Sequence, residues 1–265
     1  MSENKTLYTS NDLSLSQAHS YTLLLQVETD SFNYAIVYGK QLLAWGENFS
    51  IDELRDPNQL RDILTANYKQ VITGLATEAF TLLPKSLYEP NRANEIARLL
   101  DVKENEKVFT QVLDDDNIIV YKVDENLNYA VKDLDNQFII HKDAGFIKAI
   151  PNDYPTSTNL YLNIQNDSVS IVNYKYNKVR FYNTFTVKNH QELAYFSALV
   201  AKELELDPKD MRLVLSGEID DNHNYFSYLK EFFGQVSLNT VSVLEAPYHL
   251  ESHRLLSLAA LTLCV

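Results

Sequence analysis

The stretch HLESH sets His249 and His253 four residues apart, a spacing that puts two imidazoles on one helix face, where they could share a metal ion. Such a site needs a third ligand, and the glutamate is not where H-E-x-x-H requires it. Two helix-surface or core histidines are therefore the expectation, and no metal. DDDN at 114–117 gathers carboxylates but lacks the alternating ligands of a calcium loop, so it reads as a solvated hairpin tip. Cys264, the single cysteine, sits in an apolar helical stretch and reads as a small core residue rather than a nucleophile. Ser216 precedes Gly217 without the context of a nucleophile elbow. NYKYNKVRFYNTF interleaves Tyr174, Tyr176, Phe181, Tyr182 and Phe185 with Lys175, Lys178 and Arg180, the nearest approach to a nucleic-acid strip. Strand alternation spreads those side chains over both faces, and hairpin composition explains them. No catalytic residue stands out.

Composition narrows the classes further. The formal net charge of -13 repels phosphate backbones, so no nucleic-acid partner is expected. Hydrophobic residues make up 45% of the 265, enough for buried cores. One cysteine permits no internal disulfide. The polar N-terminal stretch lacks the apolar centre of a signal peptide, and no run reaches the roughly 18 apolar residues of a membrane span. A cytoplasmic protein without a transmembrane segment is the expectation. Glycine is scarce: the six are Gly39, Gly46, Gly74, Gly145, Gly217 and Gly234, never closer than seven apart. This spacing excludes G-x-G-x-x-G, the P-loop and G-x-S-x-G.

The elements that carry these residues repeat. Residues 1–18 read as a flexible N-terminal arm. Strands follow at about 21–28, 32–38 and 41–49, then a helix led by Asp56 and Pro57 with Leu60, Ile63, Leu64 and Tyr68 at helical spacing. QVITGLA reads as a strand, with a small inserted subdomain near 75–116, a helix over DENLNYAVKDL and a strand or hairpin over QFIIHKDAGFIKAI. The first half thus spans 19–150, and PNDYPTSTN supplies a linker at 151–158. The second half, 159–265, starts the pattern again: strands near 159–165, 168–175 and 178–187, a helix with an apolar stripe from Leu193 to Leu204, the strand MRLVLSG, a helix, a strand and a closing helix. QVETDSF (Gln26–Phe32) and NIQNDSV (Asn163–Val169) are the same corner, 137 residues apart. Leu25 matches Leu162, Val27 matches Ile164, and Asp30-Ser31 matches Asp167-Ser168.

Three hairpin-linked strands followed by alternating helices and strands resemble the ribonuclease-H-like unit. Two such units resemble the actin, Hsp70 and sugar-kinase superfamily: an α/β fold of two similar halves flanking a cleft. Within it the chain looks most like PilM and FtsA. Its second half, through NTFTVKNHQELAYFSALVAKELELDPKDMRLVLSGEIDDNHNYFSYLKEFF, looks like an uncharacterised bacterial family, a domain of unknown function.

The resemblance implies a D-x-G turn and a D-x-G-G turn that approach nucleotide phosphates through backbone N–H groups, and a G-G pair over the adenosine. On that pattern Gln26 and Asn163 fall on the metal-directing aspartates, and Glu28 and Gln165 on the first glycines. Asp30 and Asp167 lie two residues too far along. LVLSGEID keeps Gly217 but has Glu218 at the second glycine. An amide brings no charge to hold magnesium, and Glu28 would repel a triphosphate. The implied reading is a degenerate nucleotide site: no cofactor, no catalysis, and a scaffold or adaptor role with an unknown protein partner. The alternative is a divergent Mg-ATP-binding ATPase or kinase, in which Asp30, Asp167 and Glu28 hold magnesium in an altered register. A third is a peptide or small-molecule binder that uses the old cleft without phosphates.

Overall fold

The computed structural model describes residues 5–77, 79–89, 93–132, 134, 137–219 and 224–265. The chain forms two compact units: Met1–Gly145 with Leu244–Ala246 and Leu258–Val265, and Phe146–Val243 with Pro247–Ser257.

In chain order the first unit carries β1 (Lys5–Thr9), β2 (Thr22–Val27), β3 (Ser31–Tyr38), β4 (Gln41–Ser50), α1 (Asp52–Arg55), α2 (Arg61–Leu64) and β5 (Gln70–Leu75). It continues with β6 (Ala79–Pro84), α3 (Ala93–Leu99), β7 (Glu106–Val112), β8 (Asn117–Asp124), α4 (Glu125–Ala130), β9 (Phe138–His141) and α5 (Ala144–Ala149), α5 crossing into the second unit. The main sheet runs β1-β4-β3-β2-β5-β9, an antiparallel meander with β5 and β9 added parallel to β2. Leucine and valine fill β2, and Leu23, Leu25 and Val27 are buried with Phe32, Tyr34 and Ile36 of β3. Each such side chain contributes about 1.5–3 kcal/mol relative to exposure. β6, β8 and β7 form a separate three-stranded antiparallel sheet, with Leu100, Ile118 and Val120 buried in one cluster. Inside this insert the Lys122 ammonium donates to Glu106 Oε2 at 2.9 Å and to the Asp101 carbonyl at 3.1 Å. The Lys103 N–H and the Lys122 ammonium hold the Glu106 carboxyl below its ordinary pKa.

The second unit carries β10 (Asn159–Gln165), β11 (Ser168–Lys175), β12 (Lys178–Thr186), α6 (His190–Glu203), β13 (Arg212–Gly217), α7 (Asn224–Phe232), β14 (Gln235–Leu238) and most of α8 (Ser252–Ala259). Its sheet order, β12-β11-β10-β13-β14, has the connectivity of β4-β3-β2-β5-β9. β10 pairs antiparallel with β11 and parallel with β13, as β2 does with β3 and β5. The duplication read from the sequence is thus a duplication of sheet topology. α6 starts on a reciprocal cap: Asn189 Oδ1 accepts from the Glu192 N–H, and Glu192 Oε2 accepts from the Lys188 N–H.

Several expectations need correction. The N-terminal arm includes β1, which pairs with β4; residues 1–4 lie outside the described residues. The helix expected after Pro57 is confined to α2, because the Lys69 N–H pairs with the Tyr21 carbonyl and leads the chain into β5. Glu53 organises the approach to α2: its carboxylate accepts from the backbone N–H groups of Asn58, Gln59 and Leu60. Desolvation raises its pKa, but those three donors outweigh it and the net shift is downward. The insert extends to Asp124, since β8 is the central strand of its sheet. QFIIHKDAGFIKAI is a strand followed by the helix α5. The closing helix begins at Ser252, so His249 is not on it. Residues 258–265 belong to the first unit, and an added Cβ at Gly145 would meet the Ala260 backbone at 2.5 Å, which is why that position is glycine.

Candidate functional site

In the first unit, β2 leads into the corner at Glu28. The Glu28 N–H donates to the Ser31 carbonyl at 2.8 Å, closing a tight turn around Thr29 and Asp30. The Asp30 carbonyl accepts from the Ile51 N–H, and the Val27 carbonyl from the Ala76 N–H, so the corner is tied to the ends of β4 and β5. The side chain of Asp30 is exposed, while Gln26 is buried within the sheet in register with Gly74. Glu28 turns inward instead. Its Oε1 accepts from Lys142 Nζ at 2.8 Å, with the lysine side chain 7% and the glutamate side chain 19% exposed.

Lys142 comes from the segment just past β9. Its N–H continues the parallel ladder by donating to the Leu75 carbonyl. His141, Lys142 and Asp143 are all buried there. The His141 ring stands edge-on to Phe80 and Tyr121, and its Nδ1 accepts from the Asp143 N–H at 3.2 Å. Burial pushes the His141 pKa down to about 4, with the Asp143 charge opposing the shift and the Lys142 charge adding to it. A cavity of about 300 Å³ opens beside the corner, between Thr29, Arg55, Thr77, Asp124 and Asn126. Its one arginine and one aspartate balance in charge. Asp124 is already engaged, accepting from the Asn126 N–H and from Asn105 Nδ2.

The second unit repeats the corner with different side chains. Asn166 takes a left-handed conformation, φ 48°, and Ser168 Oγ donates to the Gln165 carbonyl. The Asp167 carbonyl accepts from the Val187 N–H, as Asp30 does from Ile51. The Ile164 carbonyl accepts from the Glu218 N–H, as Val27 does from Ala76. Asp167 is exposed; Asn163 and Gln165 are buried. The carboxylate here arrives from the neighbouring strand: Glu218 Oε2 accepts from the Asn166 N–H at 3.3 Å. Gly217, at φ 88°, lets β13 pass directly under Ile164; a Cβ there would collide with the Ile164 carbonyl oxygen. Ser216 is fully buried, in register with Asn163, and its hydroxyl has no hydrogen-bond partner among the described residues.

The structure thus gathers Gln26, Glu28 and Asp30 at one corner and Asn163, Gln165, Asp167, Gly217 and Glu218 at the other. Sequence reasoning missed Lys142 and His141. Their only signal was a run of titratable residues directly after a short apolar strand. His253 is buried, with Nε2 2.6 Å from the Ile219 carbonyl, and shares no helix with His249.

A family model described as "Protein of unknown function (DUF3822)" matches residues 10–236. The chain belongs to the DUF3822 family. Among curated proteins, no sequence matches. A Bacteroides thetaiotaomicron protein with an actin-like ATPase fold and unknown function is similar in structure, with a TM-score of 0.79 and 19% identity, covering 94% of this chain and 98% of that one. A chain of the PilM-PilN type IV pilus biogenesis complex follows with a TM-score of 0.63 and 14% identity over 91% and 96%. The cytoplasmic domain of EpsL, an inner membrane component of the type II secretion system of Vibrio cholerae, gives 0.50 and 14% over 92% and 95%. At these identities the likeness is one of fold. The DUF3822 chain has the actin-like ATPase fold, two ribonuclease-H-like units in one polypeptide, in agreement with its repeated sheet topology. Among its described residues no helix is long and apolar enough to cross a membrane.

Proposed function

We propose that this DUF3822 chain is a non-catalytic, cytoplasmic actin-like scaffold or adaptor that binds another protein, with a degenerate nucleotide site. One observation carries the reading. At both corners a carboxylate of the chain already engages a donor that an anion would need: Glu28 on the Lys142 ammonium, Glu218 on the Asn166 N–H. An arriving phosphate would have to displace them. The PilM-PilN complex gives the reading a precedent in partner binding on this fold.

The test is thermal unfolding with and without millimolar Mg-ATP. A ligand present at 100 times its Kd adds about 2.7 kcal/mol by mass action. In a chain of this size that raises the midpoint by roughly 5–10 °C. The expected result is no magnesium-dependent shift. A clear magnesium-dependent rise overturns the scaffold reading in favour of a divergent Mg-ATP-binding ATPase or kinase.

A further inference from the structure

The two sheets match strand for strand except at one edge. In the first unit β1 covers the outer side of β4, running antiparallel to it and pairing Lys5 with Glu47 and Thr9 with Ala44. In the second unit the sheet ends at β12, the counterpart of β4. Among the described residues no strand pairs with the outer side of β12. The repeat supplies no cover for it either. Residues 142–146, which lie 137 positions after β1, are committed elsewhere: the Lys142 N–H extends the ladder of β9 along β5, and 144–146 are in α5. The residues 137 positions after the covered part of β4 are Phe181, Tyr182, Asn183 and Thr184. In the sister unit the occupant of this edge is an antiparallel strand.

The uncovered row reads FYNTFTV from Phe181 to Val187, with no charge, no proline and no glycine. That is the composition through which identical strands pair, and it carries none of the lysines, prolines or inward charges that guard natural edges. Arg180, just before it, is turned aside, its Nη2 donating to the Leu204 carbonyl at the end of α6. The Thr184 N–H donates to the neighbouring Asn183 Oδ1 at 2.9 Å, and the Thr184 and Ser170 hydroxyls meet at 3.1 Å. Close side chains of this kind mark an antiparallel pair whose backbone groups point away from each other. The backbone groups of Tyr182 and Thr184 therefore point outward. On the α6 side, Phe181 and Phe185 are half-buried, and Phe185 stacks on Phe196 of α6 at 4.6 Å. Asn183 between them is exposed.

We propose that β12 pairs with β12 of a second copy of this chain, antiparallel about a two-fold axis at Asn183, so that two five-stranded sheets become continuous. The row itself selects a second copy as the occupant. Phe181 to Phe185 runs aromatic, hydroxyl, amide, hydroxyl, aromatic, a symmetric order that an unrelated strand would not require. About Asn183, the outward groups of Tyr182 and Thr184 meet those of Thr184 and Tyr182 in the second copy and exchange backbone hydrogen bonds. Phe181 stands opposite Phe185, an aromatic cross-strand pair, and Asn183 opposite itself. Arg180 faces Thr186, so no like charges oppose each other along this row. The contact is isologous and closes at the dimer. It takes in no corner residue, so it stands whatever Mg-ATP does to the scaffold reading.

The test is sedimentation equilibrium of the full-length protein over roughly 1–200 μM, the range suited to a small interface. Physiological salt screens the repulsion between two acidic copies beyond about 8 Å. Asn183→Lys and Asn183→Glu each place a like charge on both sides of the axis, at a position exposed in the single chain. The expected result is a monomer–dimer equilibrium whose Kd rises about fivefold or more in each variant alone. Mixing the two variants should restore the dimer, because lysine then faces glutamate across the axis, a recovery that a misfolded variant could not give. A monomer at every concentration overturns the proposal. So does assembly beyond the dimer, a dimer that either variant leaves unaffected, or a mixture that associates no better than its parts.

Discussion

Acid should weaken the first unit through His141, and the size of the effect follows from its burial. The ring is enclosed by Phe80 and Tyr121 and its pKa is lowered from 6.5 to about 4. Above pH 6.5 the imidazole is neutral in both folded and unfolded chains, and its full contribution is present. As pH falls below 6.5 the unfolded chain takes up a proton that the folded one refuses, and stability drains until about pH 4. Each pKa unit is worth about 1.4 kcal/mol, so the whole window holds roughly 3 kcal/mol and the fall from pH 7 to pH 5 about 2 kcal/mol. Urea unfolding followed by the fluorescence of Trp45, the single tryptophan, buried on β4, reports this unit. His141→Gln removes the titrating group and supplies the reference. The wild type should lose about 2 kcal/mol more than the variant between pH 7 and pH 5. Parallel pH profiles would sink the reasoning, because they would mean that His141 can charge in place.

The other predictions concern the two corners. Glu28→Ala removes the carboxylate that accepts from the Lys142 ammonium at 2.8 Å and should cost about 2–4 kcal/mol by the same Trp45 signal. Adding Lys142→Met should recover most of that loss; a double variant as unstable as the sum of the singles would show that the two side chains are not coupled. Gly217→Ala forces a Cβ against the Ile164 carbonyl at a positive φ and should lower stability by about 3 kcal/mol or more in thermal unfolding, whereas a loss below about 0.5 kcal/mol would refute the close approach.

Much of the framework was legible because hairpins announce themselves locally. β10 and β11 fall at 159–165 and 168–175, as alternation and turn residues indicated, and the corner repeat marked the duplication. What escaped was non-local. Glu28 and Lys142 are 114 residues apart in sequence and meet only because β9 adds to β5 after an entire inserted sheet. The return of residues 258–265 to the first unit is equally invisible in periodicity, since an apolar stripe does not say which core it covers. Glu28 read alone promised bare repulsion of a phosphate. Beside Lys142 it is a satisfied charge that also occupies the lysine.

That difference matters for any anion at a corner. Repulsion between exposed charges is screened by salt and relieved by magnesium. Occupancy is not relieved so simply: a phosphate must first break a charge-assisted hydrogen bond, worth about 1.5–3 kcal/mol, and then leave the displaced carboxylate nearby. Each such bond corresponds to about one to two orders of magnitude in affinity. The two corners reach this condition by different routes, with the acid on the turn in one unit and on the neighbouring strand in the other. Removing a single glutamate would therefore take away the competing carboxylate at one corner only. Glu28→Ala, tested with inorganic phosphate, should remove the carboxylate that competes at Lys142 without touching the Asn166 N–H, which Glu218 still holds.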